Sequence, residues 1–309
     1  MSRILVTGGA GFIGSHLVNK LLLGGYEVTV LDDLSSGKTE NLNLKDTKLH
    51  FLKGDIRNIG TVKKALKNVK VVFHLAAIID VAFSIKEPLL VNDVNVGGSL
   101  NVLNESVKHN VEKFIFASSC AVYGEPFKVP IDEEHPTNPL SPYAASKIAV
   151  EKYCEVFGKA YGLETVCVRF FNVYGPRQEG GSYGSVIIHF INRLKERKPP
   201  IIFGDGLQTR DFVYVDDVID ALLKAMNLKG SVGEKINIGS GRETSIRELA
   251  EVLIQKFGLK NMKPIYVGSR SYDVKRSWAN IEKARRLLGY EPHVSLEDGL
   301  DRLINISGV

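Results

Sequence analysis

Tyr143 and Lys147 lie four residues apart, and Ser119 stands upstream of them across a proline-rich stretch. If the chain is helical from residue 143, the phenol and the ammonium share one face of the first turns. A free phenol titrates near 10 and is a poor base at neutral pH. An ammonium beside it favours the phenolate and lowers that value. A serine hydroxyl can share the proton, so the trio is suited to deprotonating an alcohol as a hydride leaves for an oxidised cofactor. The spacing alone is weak, because 11 tyrosines would give about one such match by chance. A surface tyrosine beside a solvated lysine would look the same. Context favours the chemical reading: Ser141 is a good N-cap, Pro142 suits the first helical position, and Gly162 can stop a helix that runs to Tyr161.

Such chemistry needs a hydride acceptor, and the stretch Arg3 to Gly25 is organised to hold one. Ile4, Leu5 and Val6 read as a buried parallel strand. Gly8, Gly11 and Gly14 follow, where a backbone must turn sharply or approach a ligand closely. Phe12, Ile13, Leu17, Leu21 and Leu22 then recur at helical spacing up to Gly24 and Gly25. Strand, glycine turn and helix N-terminus make an anion site. Residues 27–31 read as the next strand, and Asp32 and Asp33 end it. A carboxylate there accepts the ribose hydroxyls of NAD and repels the extra phosphate of NADP.

The elements that position these groups alternate through the first half. Leu49–Leu52 and Val71–Leu75 read as the third and fourth strands, the latter ending in Ala76 and Ala77, small enough to leave room for a ligand at the sheet edge. Asn92 to Lys108 reads as one helix, and Phe114–Phe116 as a strand leading into Ser118 and Ser119. The five prolines between residues 126 and 142 mark a loop. Thr165–Phe170 is a sixth strand. The alternation predicts an α/β fold with a doubly wound parallel sheet, of the Rossmann kind, over residues 1–172. Residues 172–178 and the glycines at 180, 181 and 184 read as loop, and Val186–Arg197 as an amphipathic helix. Residues 173–309 are expected to form a smaller substrate domain, of which residues 211–240 could return to the sheet.

Composition bounds the alternatives. The chain has 309 residues, 44% hydrophobic and 24% charged, with a net charge of +5. That is ordinary for a globular protein of one large or two modest domains, and no basic run suggests nucleic acid. Cys120, Cys154 and Cys167 are odd in number and far apart, which argues for a reducing compartment and against a zinc site. No apolar signal core opens the chain and no apolar run approaches spanning length, so a cytoplasmic protein away from membranes is expected.

Nearly the whole chain resembles the extended short-chain dehydrogenase/reductase family, and within it the nucleotide-sugar 4-epimerases of the UDP-galactose/UDP-glucose kind. The carrying motifs are Thr7-Gly-Gly-Ala-Gly-Phe-Ile-Gly14, Gly54-Asp-Ile56, His74-Leu-Ala-Ala77, Ser118-Ser119 with Ala121-Val-Tyr-Gly124, Tyr143-Ala-Ala-Ser-Lys147, Arg169-Phe-Phe-Asn-Val-Tyr-Gly-Pro-Arg177, Gly204-Asp-Gly206 with Thr209-Arg-Asp-Phe212, and Asn237-Ile-Gly-Ser-Gly241. The resemblance implies catalysis by Ser119, Tyr143 and Lys147. It implies NAD bound by Gly8, Gly11, Phe12, Ile13, Gly14, Asp32, Asp33, Asp55, Ile56, Leu75, Ala76, Ala77, Asn95, Tyr143, Lys147 and Phe170. Asp55 and Ile56 would flank adenine, and Asn95 and Lys147 would meet the nicotinamide side. A UDP-hexose would meet Ser119, Asn172, Ile201, Phe203, Arg210, Arg270 and Ser277, with the two arginines on the diphosphate.

Within that family, 4,6-dehydratases carry an Asp-Glu pair just after the serine or threonine of the fifth strand, and the similar decarboxylases keep the Glu. Here Cys120 and Ala121 supply no carboxylate, which argues for plain 4-epimerisation through a transient 4-keto sugar. Cys120 replaces a residue that is often alanine. Some GDP-sugar epimerases use a cysteine nearby as acid/base, a weaker alternative that matches only if counted from Ser118. Tyr272 stands where the family has glycine. Ser277 aligns with a gate position where a bulky tyrosine excludes 2-N-acetyl groups, so N-acetylated sugars are expected to fit. The helices near Asn92 and Ser141 imply a homodimer by analogy. Another nucleotide-sugar converter, or a non-catalytic NAD-binding regulator, are the competing readings, and the intact Ser119, Tyr143 and Lys147 speak against the regulator.

Overall fold

The computed structural model describes residues 3–178, 185–269 and 274–306. Its first strand, β1 (Arg3–Thr7), is buried on both faces: Ile4 and Val6 point into one core and Leu5 into another. Helix α1 (Phe12–Leu23) follows the glycine turn, then β2 (Glu27–Asp32), β3 (Leu49–Lys53), α2 (Ile59–Ala65) and β4 (Val69–His74). After β4 the chain forms α3 (Val81–Lys86), started by the Asp80 carboxylate accepting from Phe83 N at 2.8 Å, and α4 (Pro88–Asn92).

The single helix expected over 92–108 is different in the structure. Helix begins earlier, at Pro88, passes through a wider π turn over Asp93–Gly98, and continues as α5 (Ser99–Lys108). Local packing accounts for the irregularity. Asn95 is turned to bond the backbone of Ile78, and Gly98 lies so close to Ile56 that a Cβ would stand 2.6 Å from its Cδ1. An inserted residue in a helix of this kind re-aims a side chain, often at a functional site.

Strand β5 (Lys113–Ser119) extends beyond its apolar middle to carry Ser119 at its last position. Helix α6 (Pro142–Tyr161) begins as its sequence predicts: Ser141 Oγ accepts from Ala144 N at 3.1 Å, and Pro142 opens the first turn. Gly162, at φ +71°, ends it in the left-handed conformation that glycine adopts without steric cost. Strand β6 (Glu164–Phe170) returns to the sheet.

Residues 172–174, read as loop, instead form a short strand, β7 (Asn172–Tyr174). Helix α7 (Val186–Lys195), β8 (Ile201–Phe203), β9 (Thr209–Arg210) and β10 (Phe212–Tyr214) follow. β7 exists because β10 pairs with it in parallel, Asn172 opposite Phe212, a partner 40 residues away that no local pattern reveals. Next come α8 (Val215–Met226), β11 (Val232–Ile238), β12 (Thr244–Ser245), α9 (Ile246–Lys256), β13 (Ile265–Val267), α10 (Glu282–Leu288) and α11 (Leu296–Ile306).

The main sheet has seven parallel strands in the order β11-β6-β5-β4-β1-β2-β3. Helices α1 and α8 pack together on one side, while α2, α5 and α6 associate on the other. The strand order reverses direction between β1 and β4. In open α/β sheets that switch point leaves a crevice at the carboxyl ends of the strands, where ligands bind. Residues 232–238 supply the seventh strand, while β8 pairs with β13 and β9 with β12 in small separate sheets.

Candidate active site

The glycine turn sits at that switch point, and Gly8 and Gly14 are required there by contact. Gly8, at φ +69°, lies against the chain leaving β4: a Cβ there would stand 2.8 Å from Ala76 N. A Cβ on Gly14 would stand 2.1 Å from Gly8 O. No side chain caps the N-terminus of α1 and no acid occupies its first turn. Its free N–H groups and dipole therefore suit a diphosphate.

At the end of β2, Asp32 is buried, and its two carboxylate oxygens accept from Ala10 N and Leu34 N, each at 2.9 Å. Burial pushes this carboxyl up, while the two backbone donors favour its ionised form. Gly37, which the sequence reading missed, gives it room: a Cβ there would stand 2.8 Å from Asp32 Oδ1. Asp33 is exposed and turned to Ser35 N and Oγ, at 2.9 and 2.6 Å. Asp55 is bound to Arg57 at 2.6 Å, and Arg57 also reaches Asp93 at 2.9 Å. The bond to Arg57 holds the Asp55 carboxyl below its ordinary value. Ile56 is buried beside Gly98. The bare turn, the uncapped helix and the buried carboxylate thus fit the adenosine diphosphate half of a dinucleotide.

Tyr143, Lys147 and Ser119 come together at the ends of β5 and α6. Tyr143 is buried in the first turns of α6, and burial pushes its phenol up to about 12. The Ser119 hydroxyl faces the phenol and offers it a hydrogen bond that favours ionisation, while Cys120 opposes it. Ser119 Oγ also accepts from Ala121 N at 3.2 Å, which leaves its own hydrogen for Tyr143.

Lys147 lies over the Tyr143 ring, on the face the spacing implies, but gives its hydrogen bond elsewhere. Its Nζ donates to Ala117 O at 2.8 Å and lies 4.8 Å from the centre of the Phe116 ring and 5.7 Å from that of Tyr143. Burial lowers this ammonium to about 7, with Glu151 pulling it upward. Phe170 is buried at the end of β6, and Leu75 and Ala77 are half-buried beside Ala76.

A buried polar chain that the sequence reading missed links the glycine turn to this helix. Thr7 Oγ1 bonds His74 Nδ1 at 2.7 Å, and His74 Nε2 bonds Ser99 Oγ at 2.8 Å. Ser99 donates its hydrogen to Asn95 O. It must therefore accept from His74 Nε2–H, which fixes the neutral tautomer with Nδ1 accepting from Thr7. Burial drives His74 down to about 3, in keeping with a neutral ring. Asn95 Nδ2 donates to Ile78 O at 2.9 Å and to Ser146 Oγ at 3.0 Å, and Asn95 Oδ1 accepts from Ile78 N at 2.8 Å. Both amide hydrogens of Asn95 are thereby committed within the protein, where they tie the loop after β4 to α6. The one signal for this chain was the histidine closing the apolar run Val71–Phe73 of β4.

On the other side of the site, Cys120 is half-buried and burial raises its thiol to about 11. Arg210, Asp211 and Ser277 all lie close to it, and Ser277 faces its sulfur. Asn172 bonds Asp211 O through its backbone, while its side-chain Oδ1 is buried without a partner. Ile201 and Phe203 stand on the same side of β8, half-buried. Arg210 Nη1 donates to Thr209 O and Val274 O, both at 2.7 Å. The Asp211 carboxylate, also missed, accepts from Ser240 N, Ser240 Oγ, Gly241 N and Ala279 N at 2.6 to 3.1 Å. Arg210 and Asp211 thus clamp the segment carrying Ser277 on both sides. Arg270, Tyr272 and the glycines at 180, 181 and 184 lie outside the described residues. Among the described residues no cluster of three His, Cys, Asp or Glu could hold a metal, and no helix is long and apolar enough to cross a membrane.

Residues 4–239 match the model of the NAD dependent epimerase/dehydratase family. A UDP-glucose 4-epimerase of Mycolicibacterium smegmatis is 40% identical over 306 residues, covering 98% of this chain and 97% of that protein. Among solved structures, the UDP-glucose 4-epimerase of Thermotoga maritima, crystallised with UDP-glucose, is 43% identical with a TM-score of 0.93, covering 98% and 97% of the two chains. The UDP-N-acetylglucosamine 4-epimerase of Methanobrevibacter ruminantium, in complex with UDP-N-acetylmuramic acid, is 37% identical with a TM-score of 0.94, covering 100% and 99%.

Proposed function

The chain belongs to the NAD dependent epimerase/dehydratase family, and from that premise we propose that it is a 4-epimerase interconverting UDP-glucose and UDP-galactose, open also to UDP-N-acetylhexosamines. The observation that carries the reading is the pairing of Tyr143 with Ser119 at the strand ends, followed by Cys120 and Ala121 and not by carboxylates. The trio can move a proton at a sugar hydroxyl. Eliminating water from the resulting ketone needs an acid and a base beside the ring, which these two positions do not supply.

Gly8, Gly11 and Gly14 with the start of α1, and Asp32 with Asp55 and Ile56 beyond it, would hold the cofactor's adenosine diphosphate half. Bound there, NAD⁺ supplies the hydride acceptor and a positive charge near the phenol. Tyr143 takes the proton of the C4 hydroxyl, and Ser119 stabilises the phenolate by donating its hydrogen. The 4-keto sugar turns about its diphosphate, which Arg210 and Asn172 would hold with Arg270, so that the hydride taken up by the cofactor would be given back to the opposite face of C4, and Tyr143 returns the proton to the C4 oxygen. Ile201 and Phe203 border the uracil. Ser277 leaves room for a 2-N-acetyl group, in line with the N-acetylated substrate of the Methanobrevibacter ruminantium enzyme. The protein, incubated with UDP-galactose and no added cofactor, is expected to yield UDP-glucose. Accumulation of a keto sugar or of NADH would instead point to a dehydratase or an oxidoreductase.

The exposed apolar residues Ile85, Leu89, Tyr153 and Val156 on α3, α4 and α6 support a homodimer. A solution mass near that of one 34.1 kDa chain would refute it.

A further inference from the structure

Helix α6 carries a third buried ionisable group in line with Tyr143 and Lys147. Glu151 stands one turn beyond Lys147, and the three residues are 8%, 3% and 2% exposed in chain order. Residues four apart on a helix share a face. The Glu151 carboxylate is held by three hydrogen bonds from two residues. Arg169 grips it through Nε and Nη2, at 2.8 and 2.7 Å, and Ser118 Oγ donates to Oε1 at 2.6 Å. Arg169 is itself fixed by Tyr123, whose hydroxyl accepts from Nη1 at 2.8 Å and donates to Asn237 Oδ1 at 2.7 Å. One strand, β5, thus binds both members of the helix pair: Ala117 O takes the ammonium and Ser118 takes the carboxylate.

A buried ion pair is not by itself a stabilising device, and a well-packed apolar pair can replace it at little cost. The place of this one suggests another use. An ammonium beneath the reacting phenol must stay charged although burial works against it. We propose that Glu151 is a positioning residue for the reaction: its carboxylate, fixed by Arg169 and Ser118, is the counter-charge that keeps Lys147 protonated. This rests on the roles given above to Tyr143 and Lys147.

Burial lowers the Lys147 ammonium, and Glu151 is the charge that raises it against burial. Until the phenol ionises, the other titratable groups around the ammonium do not substitute for it. His74 on β4 is a buried neutral ring, Tyr143 and Cys120 are held protonated by burial, and Arg169 on β6 carries the wrong sign. Removing the Glu151 charge also strands the Arg169 guanidinium, so both consequences push Lys147 toward losing its proton.

The test is the pH dependence of kcat for UDP-galactose epimerisation by the holoenzyme and its E151Q, E151D and K147M variants. If the reaction needs Lys147 charged, the alkaline limb reports its proton. In E151Q that limb is expected to move down by about one pH unit or more, with KM changed less than about threefold. E151D, which keeps the charge, is expected to hold the limb in place even at a lower plateau. Equal loss at every pH in E151Q and E151D, with an unmoved limb, overturns the proposal and leaves Glu151 as packing. Where E151Q does not fold, the limb of E151Q/R169Q is compared with that of R169Q: a lower limb in the double variant supports the proposal, and an equal one overturns it. Full activity of K147M would instead refute the role of Lys147, whereas an inactive K147M with an unmoved E151Q limb sinks the inference alone.

Discussion

Lys147 Nζ stands 5.7 Å from the centre of the Tyr143 ring and gives its hydrogen bond to Ala117 O, not to the phenol. The hydroxyl that faces the phenol is that of Ser119. Within the protein, then, it is the Ser119 hydrogen bond that directly favours ionisation of Tyr143, and the role proposed for Lys147 is that of a nearby charge. Removing the serine hydroxyl should raise the phenol's pKa. S119A is expected to lower kcat about 10- to 100-fold, the effect of one hydrogen bond to a charged group. On the proposed mechanism, in which the phenolate is the base, the acid limb of the kcat profile should also move to higher pH. An acid limb that stays in place would remove Ser119 from this role.

Ser277 and Cys120 face one another on the substrate side. If their small size admits a 2-N-acetyl group, S277Y should reduce turnover of UDP-N-acetylglucosamine at least about 10-fold relative to UDP-galactose, since a filled pocket rejects the larger group by sterics. Measuring kcat/KM for both sugars in both proteins decides it. An unchanged ratio would show that the gate lies elsewhere.

His74 makes stability depend on pH. The unfolded ring titrates near 6.5 and the folded one only near 3, so between those values the unfolded chain binds the extra proton. Stability should therefore be fully present above about 6.5 and decline as pH falls toward 3, by at most about 1.4 kcal/mol per pH unit from this group. H74Q, which cannot titrate, should be less stable at pH 7 by about 1–3 kcal/mol through the broken Thr7–His74–Ser99 chain. Its further loss on acidification should be shallower. Urea midpoints of both proteins from pH 7 to pH 4 give the comparison, and parallel curves would contradict it.

The parts of the fold specified by short-range chemistry were legible in the chain itself. The apolar run of β1, the turn with Gly8 and Gly14, the acid ending β2, and the Ser141-Pro142 start of α6 each combine a residue type with a local backbone need. They place the dinucleotide-like cradle and the helix bearing Tyr143. What escaped depends on partners distant in sequence. β7 forms only against β10, and the π turn at Asp93–Gly98 answers to Ile56 and Ile78. Helical spacing puts Lys147 on the face of Tyr143 but cannot say that its Nζ will bond Ala117 O. The chain Thr7–His74–Ser99–Asn95–Ser146 joins residues spread over 139 positions (7 to 146), and no window of sequence contains it.

The proton carrier itself offers the most direct test. Y143F keeps the ring and its packing and removes only the hydroxyl. Conversion of UDP-galactose to UDP-glucose by the purified variant is expected to fall about 10²- to 10⁴-fold in kcat, the range for loss of a general base, with its NAD content and melting temperature near those of the parent. Interconversion at the parental rate would contradict the account.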